Sequence, residues 1–208
     1  MDATELLEAV REDSRTELSR LGSSKALYAD TMGELEVETV LRSAATAEHA
    51  AAETYAAWAE TESGDVADAF RATAEEERNH YDTVLDQLGA DHEPGELPAI
   101  QTYLRDLENT VERVGGFLGR TLAAEKSKEQ VTGFFVGQAK PRVASTFRGM
   151  GGDLDAQLER ATALLDALCD SDADWERARE AANGAITAAY EEYVERLEGM
   201  GVNPKPVC

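Results

Sequence analysis

Glu48, Glu77 and His80 are the residues of this 208-residue chain whose types and spacing point to chemistry. Glu77-Arg78-Asn79-His80 is a Glu-x-x-His unit, and three residues is close to one helical turn, so both side chains reach one point. Each glutamate interrupts a stripe that is otherwise apolar. Leu41, Ala44, Glu48, Ala52 and Tyr55 share one helical face, and Phe70, Ala74, Glu77, Tyr81 and Val84 share another. A carboxylate in a core stripe is costly unless it is paired, hydrogen-bonded or bound to a metal. One Glu on one helix, with Glu-x-x-His on its neighbour, supplies half the ligands of a carboxylate-bridged centre holding two irons or two manganese ions.

The elements that must position these residues are two helical arms, predicted at about 32–61 and 66–88. They fold about Ser63-Gly64-Asp65, with Gly64 as C-cap and Asp65 as N-cap of the second arm. Glu48 and Glu77 then lie level across an antiparallel hairpin.

At these residues the chain resembles the rubrerythrin branch of the ferritin-like proteins. The matching features are Glu48 with Tyr55 seven residues on, and Glu77-x-x-His80 on the next helix. The resemblance covers about a fifth of the chain closely, and it implies a four-helix bundle with iron or peroxide chemistry. It also implies that Tyr55 or Tyr81 serves as a hydrogen-bond donor or electron source beside the metals. Two departures stand out. The cysteines, Cys169 and Cys208, form no C-x-x-C pair, so the rubredoxin-like module of full-length rubrerythrins has no counterpart and electrons would come from an external donor. Only three histidines are present, and there is no second Glu-x-x-His. A one-histidine centre of ferroxidase make-up would draw its remaining oxygen ligands from Glu125 on the third helix and from Glu192 and Glu195 on the last. The alternative is a metal-free binding or assembly module. A third reading is a helical bundle that takes up an organic ligand near the glycine-broken third helix and Phe134-Phe135.

Composition sets the class. Proline is sparse and strand-like alternation is nearly absent, so the fold class is all-α. The expected arrangement is a ferritin-like four-helix bundle with accessory helices at the N-terminus and before the last helix. The formal net charge is -22. The acids are spread along the whole chain, and Arg outnumbers Lys fifteen to five, a pattern resembling halophile proteins that stay soluble in molar salt. No basic footprint for nucleic acid is found. There is no apolar run of membrane-spanning length and no basic leader, so a cytoplasmic protein is expected. The partner expected is a second copy of the chain, in a homodimer.

The remaining elements follow from periodicity and punctuation. Residues 1–31 read as an accessory helix over 2–21 and a connection over 23–31, and residues 32–200 as the bundle. Within the bundle a loop at 90–98 carries His92, read as solvated. A third helix over 99–126 is interrupted by Gly115-Gly116 and Gly119, which allow either a bend or a close helix contact. An apolar segment follows at 130–137 and a glycine-rich joint at 148–152. Helices are predicted at 153–169 and 175–200, and 201–208 is a tail.

Overall fold

In a computed structural model of the chain, which describes residues 1–205, nine helices and no strands are found among the described residues: α1 (Ala3–Asp13), α2 (Arg15–Leu21), α3 (Ser24–Asp30), α4 (Val37–Thr61), α5 (Gly64–Leu88), α6 (Ala99–Arg105), α7 (Thr110–Gly137), α8 (Pro141–Leu168) and α9 (Asp172–Gly199). Cys208 lies outside the described residues. The all-α class therefore holds. No described helix is long and apolar enough to cross a membrane.

Helices α4 and α5 pack along their length as the expected hairpin. The turn is tighter than the sequence suggests. Gly64 is the first residue of α5, with φ +59, and Ser63 rather than Asp65 holds the N-cap position. Gly89 closes α5 in the left-handed conformation, the role glycine fills at helix ends because it lacks a Cβ.

Helix α7 is the axis of the second half, and both α8 and α9 pack along it. The close-contact alternative for its glycines is the one realised. A Cβ at Gly115 or Gly119 would run into the backbone of Ala178 or Ala182 on α9. Only small residues let two helix backbones approach this far.

Several predicted boundaries need correction. The N-terminal helix is divided at Ser14, and the expected connection over 23–31 contains α3. Helix α4 starts at Val37, five residues later than the apolar pattern implies. The third helix is two helices. Asp106 ends α6, and Asn109 starts α7 with a capping box to Glu112, a strong start signal. The segment 130–137 is the last part of α7, and the glycine-rich residues 148–152 lie inside α8. Their apolar neighbours Phe147, Met150 and Leu154 are all buried, and this burial outweighs the poor helix propensity of three glycines.

Two large apolar cores result, with a smaller cluster of Ala26, Ala29, Tyr193 and Leu197 between α3 and α9. One gathers Tyr55, Trp58, Phe70, Phe117 and Leu122 with the N-terminal helices. The other gathers Leu41, Val84, Val131, Phe135 and Phe147. Each large side chain fully buried there contributes about 1.5–3 kcal/mol. Along α4 and α5, Glu48 and Glu77 fall between these two cores.

Candidate functional site

The layer between the cores is ionic. Glu48, Glu77 and His80 are each buried, and one ligand atom from each lies within 4.8 Å of the others. The hairpin register therefore does what the spacing predicts for these three residues. The rest of the layer comes from α7 and α8. Arg120 donates to both carboxylate oxygens of Glu77, at 2.6 and 3.1 Å. Gln157 adds a hydrogen bond to Glu77 Oε1 at 2.8 Å. Lys128 donates to Glu48 Oε1. His80 Nε2 bonds Asp153 Oδ2 at 2.9 Å. On the other side of the ring, Nδ1 faces Glu48 Oε2 at 3.8 Å and Glu77 Oε2 at 3.7 Å.

Charge explains the protonation of the cluster. Burial by itself would raise the Glu77 carboxyl. The Arg120 charge, with the hydrogen bonds that Arg120 donates and the nearby Lys128 charge, instead holds it well below the usual carboxylate range. Burial works against a charged His80, yet the facing carboxylates of Glu48 and Glu77 push it up to about 10. At neutral pH His80 is an imidazolium, with both ring nitrogens protonated. Two glutamates, one arginine, one lysine and one imidazolium, with Asp153 at the outer edge, make a layer whose charges cancel. An unpaired buried ion would cost several kcal/mol.

The other predicted site residues are dispersed. Tyr55 is fully buried beside the cluster, with the Arg120 guanidinium 5.7 Å from its ring centroid. Its hydroxyl has no partner, and burial pushes its ionisation upward. Tyr81 points away and bonds His92 Nδ1 at 3.3 Å. His92 also meets the Thr46 hydroxyl at 3.1 Å, so the loop histidine pins its loop to α4 and α5 rather than standing in solvent. Glu125 is half-buried on α7 near Arg11 and Lys126, and burial raises its carboxyl. Glu192 bonds Arg196 at 2.6 Å and accepts from the Ala99 N–H at 3.2 Å, while Glu195 is exposed. Helix α9 lies on the other side of α7, and the fourth wall of the ionic layer is α8.

Sequence reasoning missed Arg120, Lys128, Asp153 and Gln157. A signal for two of them was present. Phe117, Thr121, Ala124, Lys128, Val131 and Phe135 form a second stripe on α7, with Arg120 at its edge. A helix buried on two sides carries two such stripes, and the one through Val114, Leu118, Leu122 and Glu125 hid the other.

An open-mouthed cavity of about 370 Å³ borders this layer. Glu48, Arg120 and Lys128 form part of its wall, and α3, α4, α6, α7 and α9 enclose it. Its far end carries Asp30, Glu192 and Arg196, and Met32 stands exposed among its lining residues.

Comparison with protein-family models, curated proteins and solved structures finds no match for this chain. The function must be argued from the geometry.

The donor set tests the fit of metal directly. A second divalent ion would have to share the two carboxylates with a guanidinium and an ammonium already bonded to them, and like charges at that range repel strongly. A two-metal centre does not fit. One ion meets fewer obstacles, because Glu48 Oε2 and His80 Nδ1 have no hydrogen-bond partner, though it must displace the proton that the imidazolium carries on Nδ1.

Proposed function

We propose that the chain is a ferritin-like four-helix bundle of the rubrerythrin type in which protein cations take the place of a two-metal centre. Its function is to bind a small organic molecule. The observation that carries this reading is the seating of Arg120 on Glu77 and of Lys128 on Glu48, in the wall of the cavity. Buried carboxylates held by protein cations have no need of metal. They also form a rigid polar floor for a pocket whose other walls are largely apolar, as small-molecule sites are. Helices α4, α5, α7 and α8 each contribute a side chain to the ionic layer, as the four core helices do in ferritin-like centres.

Elemental analysis of protein purified without chelator in high salt tests this, for wild type and His80→Ala. The expected result is metal well below one ion per chain and indifferent to the mutation. About two irons or manganese ions per chain, lost in the variant, would overturn the reading and restore iron or peroxide handling.

A single divalent ion is the second reading, favoured by one further contact. His80 presents Nδ1 to the two carboxylates while Asp153 holds Nε2, the outer-shell arrangement that orients metal-binding histidines. The three residues would hold the ion, which would supply Lewis acidity. Arg120, Lys128 and Gln157 would orient the carboxylates. One ion per chain, lost in His80→Ala, is the result that would favour it.

A further inference from the structure

The cavity carries more information than its volume. The buried carboxylates Glu48 and Glu77 have their own cations, Lys128 and Arg120, and Glu96, which also lines the cavity, is exposed to solvent. At the far end two carboxylates share one: Arg196 bonds Glu192 at 2.6 Å and reaches Asp30 at 3.5 Å. That end is therefore short of one positive charge.

An independent observation points the same way. Gln101 lines the same cavity, is buried to 2% exposure, and its Oε1 has no hydrogen-bond partner. It stands two residues after Ala99, whose N–H bonds Glu192. A buried amide oxygen without a donor is costly, so a ligand that brings N–H groups to this end satisfies both needs. Leu27, Val40 and Val131 supply an apolar part of the same wall.

Resting on the reading of the cavity as a binding site, we propose that it takes a small organic ammonium ion. The cationic head lies among Asp30, Glu192 and Gln101, and the aliphatic body lies along Leu27, Val40 and Val131. The ammonium supplies the missing charge and donates to the orphaned amide oxygen. A carboxylate ligand gains much less, because Arg120 and Lys128 are already engaged by Glu77 and Glu48. The volume of about 370 Å³ is at the small end of ligand pockets and suits a body of about six carbons.

Isothermal titration at pH 8 and fixed KCl, on the full chain, tests this with n-hexylamine, 1-hexanol and hexanoate as probes. The expected result is saturable binding of the amine, with hexanol and hexanoate weaker by about tenfold or more. Asp30→Asn should weaken the amine by a similar factor and leave hexanol unchanged, with the helical circular dichroism retained. Ala44→Phe, which fills the cavity, should abolish amine binding. Equal or tighter binding of hexanol or hexanoate would overturn the ammonium assignment while leaving a binding cavity. Binding of none of the three would overturn the ammonium assignment and the organic-ligand reading together. Amine binding unchanged in both variants would place it elsewhere and overturn the proposal.

Discussion

Arg120 lies across both carboxylate oxygens of Glu77, at 2.6 and 3.1 Å, with both side chains shut away from solvent. This fork-on-carboxylate geometry is the strongest form of protein ion pair. Glu77 is also the residue that the Glu-x-x-His pattern assigns to metal. Chemistry at this layer therefore depends on whether an ion can compete with a guanidinium from α7.

Arg120→Leu leaves Glu77 buried without its cation. The expected loss of stability is about 3–5 kcal/mol, since breaking one side of a buried pair strands the other charge. Glu77→Gln combined with Arg120→Leu should recover much of that loss. Urea denaturation of Arg120→Leu, Glu77→Gln and the double variant checks it, and full additivity of the single effects would show that the pair is not coupled.

The pH dependence has a defined sign on each side. His80 is raised in the folded chain to about 10 from an ordinary 6.5. Its contribution is fully present below about pH 6.5 and is lost as pH rises through 10. Glu77 is depressed, so its contribution is present above the ordinary carboxylate range and lost as pH falls through its folded value. His80→Gln should flatten the alkaline limb of a stability profile between pH 6.5 and 10. An NMR titration placing the His80 midpoint near 6.5 would contradict the stated cause.

Lys128→Met removes the ammonium from Glu48 Oε1 while keeping most of the aliphatic stem. With one carboxylate freed, affinity for Zn²⁺ or Mn²⁺ should rise by about tenfold or more over wild type. Calorimetric titration of both proteins reads this directly. Unchanged affinity would mean that Lys128 does not guard the cluster against metal.

Gly119→Ala places a methyl group against the Ala182 backbone on α9. In an open helix the change would stabilise by up to about 1 kcal/mol. Here α7 and α9 must separate, and a net loss of about 1–3 kcal/mol is expected. Gly133→Ala on the same helix has open space around its new methyl and should be neutral or stabilising. Thermal denaturation of the two variants separates packing from propensity.

A net charge of -22 makes the folded chain repel itself in dilute buffer. Raising KCl from 0.1 to 2 M should increase the melting temperature, because the screening length falls from about 10 Å to under 3 Å. A melting temperature that falls with KCl would remove charge repulsion as the main salt-dependent effect.

The helical class, the hairpin and the meeting of Glu48, Glu77 and His80 were legible because each follows from local rules. Periodicity defines a buried face, one turn brings Glu77 and His80 together, and an antiparallel turn sets the level of Glu48. The break between α6 and α7 was legible in principle from Asn109 and Glu112, but an apolar stripe running through it concealed it. The continuity of α8 through its glycines was not legible, because burial of Phe147, Met150 and Leu154 against other helices decides it.

The sequence by itself determined which carboxylates are buried and which histidine stands beside them. Only the tertiary structure decided what neutralises them. Helix α7 approaches α9 through Gly115 and Gly119 and turns Arg120 and Lys128 toward the hairpin, and α8 rather than α9 closes the layer with Asp153 and Gln157. Pairing between side chains 43 to 80 residues apart in sequence depends on which helices come to lie against each other, and that is settled by the packing of whole faces.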